Sequence, residues 1–164
     1  MRKKIMTVSL AVLLLLIFAV GCGGDENAEG LCRKAAEAAL EKVGEDTELD
    51  TTVAYGEETY GDNFERLYNF SMDKAADGVI VYSGSGSAAD EISLICAKES
   101  GDVGEIKKYL EARRQQRLHD FQSYMPEEAN KIENARVVVM KQYVFLIISD
   151  QADEIEIAIK EVLG

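Results

Sequence analysis

Asp90 and Glu91 are adjacent carboxylates at the end of a run of small residues, SGSGSAAD from Ser83 to Asp90. Carboxylates at the rim of a rigid sheet are a common place for acid–base work. Arg113, Arg114 and Arg117 lie within five residues of one another, close enough on a helix to clamp a carboxylate or a phosphate. Asp90, Glu91, Arg113 and Arg114 are therefore the candidate binding residues. A plainer reading stands beside each. Arginines on a solvated helix face pair with acids and lay their stems over apolar neighbours. The Gly-Ser run exposes backbone N–H groups that can hold an anion, yet it has no lysine and joins strand to strand. Phosphate-binding loops join a strand to a helix N-terminus, so a flexible hairpin connection is expected. No nucleophile stands at motif spacing from a base, and no residue is assigned a catalytic role.

Metal chemistry finds little to use. The chain has one histidine, His119, and three cysteines, which leaves most zinc sites without ligands. Asp150, Asp153, Glu154 and Glu156 cluster, but without the Asp-x-Asp-x-Asp-Gly spacing of a calcium loop. Negative charge at the start of a helix accounts for them. No metal and no cofactor is expected. The 164 residues carry a net charge of −12. That argues against nucleic acid as a partner, since phosphate backbones are held by lysine and arginine. Whether Cys32 and Cys96 pair is left open; alternation of Cys96 with Ile92 and Leu94 also suits a small buried residue.

The first residues point to a location. Arg2, Lys3 and Lys4 precede the uncharged run SLAVLLLLIFAV, Ser9 to Val20. A basic start, an apolar run and small residues after it are the layout of a secretory signal. From Ile5 to Val20 the run is 16 residues, short of the roughly 20 that cross a bilayer. Ala19-Val20-Gly21-Cys22 resembles a bacterial lipobox, with alanine where leucine is commonest. The resemblance implies that the Cys22 thiol receives a diacylglyceryl group and that the chain is cut before it, after Gly21. Two acyl chains, at about 0.8 kcal/mol per buried CH₂, hold firmly where one is marginal.

The expected organisation is a lipoprotein signal peptide over 1–21, a flexible tether over 22–30 and a single domain over 31–164. Cleavage removes 21 residues and three positive charges, leaving 143 residues at −15. The eight residues Gly23 to Gly30 reach at most about 26–29 Å when extended. The expected residence is the outer face of the cytoplasmic membrane, with the acidic domain standing off anionic surfaces.

The elements that must position these groups follow from the hydropathy pattern. Leu31, Ala35, Ala39 and Val43 form a stripe with Cys32, Ala36 and Leu40 beside it, predicting a helix that Gly44 ends. Thr51 to Tyr55 suits an edge strand. Asp62 is the expected N-cap of a short helix over Asn63 to Asn69. Tyr55, Tyr60, Phe64, Tyr68 and Phe70 gather there and are expected to cap a sheet edge rather than stack on sugar rings. After Asp77-Gly78 the period becomes two, predicting strands over Val79 to Tyr82 and Glu91 to Ala97.

Asp102, with Glu105 three residues on, predicts a capping box that opens a long helix from Val103 to Tyr124. Pro126 breaks it and suits the start of a short helix over Glu127 to Lys131. Arg136 to Lys141 and Tyr143 to Ser149 are apolar on both faces, predicting central strands covered on both sides. The long and last helices are the expected cover on one side. The other side is left to the first helix, the aromatic segment or a second copy. Ser149-Asp150 with Asp153 predicts the cap of a final helix that buries Ile155, Ala158, Ile159 and Val162.

Leu67-Tyr68, VYSGSGSAADEISLICAK, the helix with Arg113 and Phe121, Tyr124-Met125-Pro126-Glu127 and Lys131-Ile132-Glu133-Asn134-Ala135 follow in that order. This order resembles bacterial lipoproteins carrying the domain of unknown function numbered 4358, over about residues 48–163. A departure is Lys141-Gln142, where such proteins often carry glycine or asparagine in the turn. The resemblance implies neither an activity nor catalytic residues. The fold expectation is α+β, with N-terminal helices before a β-β-α-β-β-α core whose antiparallel sheet packs against helices. The functional expectation is a lipid-anchored extracytoplasmic lipoprotein acting as a non-enzymatic binding or assembly module. Its partners would be membrane lipid, through Cys22, and an unidentified envelope protein or ligand. Two alternatives are a small envelope enzyme using Asp90 and Glu91, and a structural homodimer.

Overall fold

The computed structural model describes residues 30–44 and 47–164. The expected signal peptide over 1–21, Cys22 and the expected tether as far as Glu29 lie outside the described residues. The elements run α1 (Leu31–Val43), β1 (Thr51–Ala54), α2 (Tyr60–Tyr68), β2 (Ala75–Tyr82), β3 (Glu91–Ala97), α3 (Val103–Phe121), α4 (Pro126–Glu133), β4 (Arg136–Met140), β5 (Tyr143–Ile148) and α5 (Ala152–Leu163). The fold is α+β. The five strands form one antiparallel sheet in the order β1-β2-β3-β5-β4.

Strict alternation along the central strands divides the core into two layers, because successive strand side chains point to opposite faces. Val79, Val81, Ile92, Leu94, Cys96, Phe145 and Ile147 face α1 and α5. Ile80, Ile95, Val144, Leu146 and Ile148 face the other way, onto α2, α3 and α4. Every residue of β3 and β5 is buried. Among the described residues no helix is long and apolar enough to cross a membrane.

Several expectations are corrected by the packing. The long and last helices do not share a face: α3 covers one side of the sheet and α5 the other, with α1 beside it. Both faces of β5 are thus covered by the chain's own helices. β4 is an edge strand rather than a central one, and Val139 on it is 44% exposed. The apolar run alone could not separate an edge from a centre, since β4 still packs Val137 on one layer and Val138 and Met140 on the other.

Helix starts differ as well. α2 begins at Tyr60, so Asp62 lies inside its first turn rather than at the cap. Asp102 continues a 3-10 turn into α3 with helical backbone angles and makes no side-chain cap; Glu105 instead pairs with Lys74. α5 begins at Ala152; Ser149 Oγ accepts the Gln151 N–H at 3.1 Å, and Asp153 pairs with Arg136. α3 ends at Phe121, ahead of Tyr124, and α4 extends over Pro126–Glu133. The two-residue β4–β5 turn forms without glycine or asparagine, with Lys141 held at φ 54°. That left-handed conformation costs a non-glycine residue about 1–2 kcal/mol.

Candidate functional site

Strand β3 brings two polar residues into an apolar layer. Glu91 and Ser93 point to the α2/α3 side and neither has exposed surface. The charge of Glu91 is met from α3. Arg113 donates through Nε to Oε1 and Oε2 at 3.2 and 3.1 Å, and through Nη2 to Oε2 at 2.7 Å. Tyr68, the last residue of α2, donates to Glu91 Oε1 at 2.7 Å and also contacts Ser93 Oγ. Ser93 Oγ donates to Glu91 Oε1 at 3.1 Å. A buried carboxylate without such partners would be strongly disfavoured. Three elements are therefore clamped on one side chain.

The electrostatics follow from that enclosure. Burial pushes the Glu91 carboxyl upward, but the Arg113 charge and the hydrogen bonds from Arg113 and Tyr68 outweigh it, leaving it below the usual glutamate value. Burial, then the neighbouring Glu91 charge, pushes the Tyr68 phenol well up. Arg117 completes the cluster at longer range: its Nε lies 3.9 Å from Glu91 Oε2 without a hydrogen bond. Its guanidinium sits 4.5 Å from the Phe121 ring centroid and donates to Ala88 O at 3.2 Å.

The Ser83–Asp90 loop, which joins β2 to β3, is tied down at both ends. Gly84 N–H donates to Asp50 Oδ1 at 2.7 Å, and Ser83 N–H to Asp90 O at 3.1 Å. Ala89 N–H donates to Glu128 Oε2 at 2.6 Å. Asp90 is buried and accepts from the partly buried Lys131 Nζ at 2.6 Å. Lys131 also meets Glu128 at 3.2 Å and Asp150 at 3.7 Å. Two polar grooves of about 190 and 230 Å³ adjoin at Lys131, Ser149 and Asp150. One reaches Thr47, Glu48 and Gln151; the other reaches Asn130, Arg136 and Asp153.

The candidate residues thus separate. Glu91 and Arg113 meet, as a buried ion pair rather than at an open mouth. Arg114 takes no part; its Nε lies 3.3 Å from Glu111 on the outer flank of α3. Asp90 faces Lys131, on a different side of the loop end. No substrate reaches the Ser93 hydroxyl beside Glu91 in this conformation, since both are enclosed. Tyr68, Ser93, Glu128 and Lys131 escaped the sequence reading as site residues, and Arg117 was named among the three clustered arginines but not among the candidate binding residues. The available signals were an arginine inside an apolar helical stripe and two polar residues at alternate positions of an apolar strand.

The remaining features pack. Tyr60, Phe64, Tyr68 and Phe70 are buried against the sheet, with ring centroids 5.1–5.4 Å apart in successive contacts. Cys32 and Cys96 are thiols buried in the same apolar layer. His119 is exposed beside Gln122. Among the described residues no group of three or more His, Cys, Asp or Glu is arranged to hold a metal ion.

Comparison with known proteins gives one match: the family described as a domain of unknown function (DUF4358), over residues 50–149. No curated protein matches, and no solved structure does. The matched span contains β1 through β5, and with them the Glu91 cluster and Lys131, while Thr47, Glu48 and the groove residues from Asp150 to Asp153 lie outside it.

Proposed function

The chain belongs to the DUF4358 family, and we propose that it is a lipid-anchored extracytoplasmic bacterial lipoprotein serving as a non-enzymatic binding or assembly module. The anchor is Cys22, placed after Gly21 at the end of a charge-free run. The observation that carries the non-enzymatic reading is that the candidate acid–base groups hold the fold together. Glu91 is enclosed by Arg113, Tyr68 and Ser93, and Asp90 by Lys131. What remains outward is the tied-down loop and the polar grooves beside it, a shape suited to recognition.

Fatty-acid labelling tests the anchor: wild type incorporates label and Cys22→Ala does not. Crosslinking in intact cells from a photoreactive residue at Ser85 tests the module. A discrete crosslinked product lost on Lys131→Glu supports it. Absence of any product under every growth condition counts against it.

A further inference from the structure

Resting on the lipid-anchored reading, we propose that the end of the sheet where α1 begins faces the anionic lipid headgroups. The opposite, acidic end, with the Ser83–Asp90 loop and the Lys131 grooves, is then presented away from the membrane.

The point of attachment is the first observation. The Cys32 N–H, in the first turn of α1, donates to Asp77 Oδ2 at 2.8 Å. Asp77 lies in β2 opposite Cys96 of β3. The same end gathers Lys98, whose N–H donates to Lys74 O at 2.8 Å, and the β4–β5 turn, where Lys141 Nζ donates to Gly164 O at 2.7 Å. The chain therefore leaves toward Cys22 from this end. Its extended reach of about 26–29 Å is close to the roughly 26 Å length of an eight-residue strand such as β2. A tether about as long as a strand lets the loop end reach the bilayer only when it is stretched along the whole domain, so its own end lies nearest.

Charge gives the same orientation independently. At the tether end Lys34, Lys98, Lys107, Lys108 and Lys141 are exposed. Glu57 and Glu105 there are paired with Arg33 and Lys74, and Glu58, Asp73, Glu99 and Asp102 offset most of the five lysines, so this end of the domain is near charge balance, with Asp25, Glu26 and Glu29 following in the tether. At the loop end Glu48, Asp50, Glu127, Asp150 and Glu154 are exposed, and the cations Lys131 and Arg136 are already paired. Headgroup charge acts within a Debye length, about 8–10 Å at ordinary salt. It repels the acidic loop end more strongly than the nearly balanced tether end of the domain. A partner met at the loop consequently approaches from the side away from the bilayer.

The test uses the full chain purified from membranes, with Lys98→Cys or Ser85→Cys labelled by a maleimide fluorophore. Wild type, with Cys32 and Cys96 buried, is the labelling control. Matching thermal melts show that each variant is folded. In phosphatidylglycerol vesicles containing a nitroxide-headgroup lipid, quenching at position 98 should exceed that at position 85 at least twofold. The ratio should fall as salt is raised. Equal or reversed quenching in chains shown by mass spectrometry to be diacylated overturns the orientation and leaves the anchor intact. Chains that carry no diacylglyceryl group overturn both.

Discussion

Asp77, in β2, caps a helix that begins 46 residues earlier: its Oδ2 accepts the N–H of Cys32 at 2.8 Å. The helix's own N-cap, Gly30, has no side chain to do so. Oδ1 of the same carboxylate accepts the Gly78 N–H at 2.8 Å. One side chain thereby fixes both a helix end and the irregular start of a strand.

Asp77→Ala should destabilise the fold by about 1–3 kcal/mol, the cost of leaving buried donors without acceptors. Asp77→Asn should lose less. Urea unfolding measures both; equal midpoints for wild type and Asp77→Ala would remove the capping role.

The Glu91–Arg113 pair should show the asymmetry of buried ion pairs. Arg113→Met alone leaves a buried carboxylate uncompensated and should cost about 3–5 kcal/mol. The double variant Glu91→Leu/Arg113→Met should recover much of that loss, because it also removes the stranded charge. Denaturant midpoints for the four proteins of the cycle decide the matter. Simple additivity would contradict direct coupling.

Acid stability should track the same carboxyl. Burial raises its pKa, but the Arg113 charge and the hydrogen bonds from Arg113 and Tyr68 lower it by more, so the folded value lies below the ordinary 4.5. A depressed folded pKa contributes stability that is complete above the unfolded value and disappears as pH falls through the folded one. Unfolding free energy should therefore drop below about pH 4.5 more steeply in wild type than in Glu91→Gln. Parallel acid limbs would show that Glu91 is not responsible.

Tyr60 and Gly78 should be coupled through one contact. A Cβ at Gly78 would lie 2.0 Å from Tyr60 Oη and 3.1 Å from Cζ. Tyr60 Oη is buried without a hydrogen-bond partner among the described residues. Gly78→Ala should cost about 1–3 kcal/mol through overpacking. Tyr60→Phe should be neutral or stabilising by up to about 1 kcal/mol, and should reduce the cost of Gly78→Ala. Thermal melts of the cycle measure the relief; an unchanged cost in the Tyr60→Phe background would place the strain elsewhere.

The sequence by itself determined the elements whose signal is local. The four-residue stripe of α1 and its closing Gly44 fell where expected, as did β3 from Glu91 to Ala97, because periodicity and a stop residue are written in neighbouring positions. The resemblance of Ala19-Val20-Gly21-Cys22 to a lipobox, on which the proposed location rests, is local in the same way. Tertiary structure alone decided that Glu91 meets Arg113 and not Arg114, that Asp90 turns to Lys131, that β4 lies at the edge, and that α3 and α5 cover opposite faces. Hydropathy records that a residue leaves water, but the identity of what it is buried against depends on sheet order and helix placement, and these are set by packing between segments far apart in the chain.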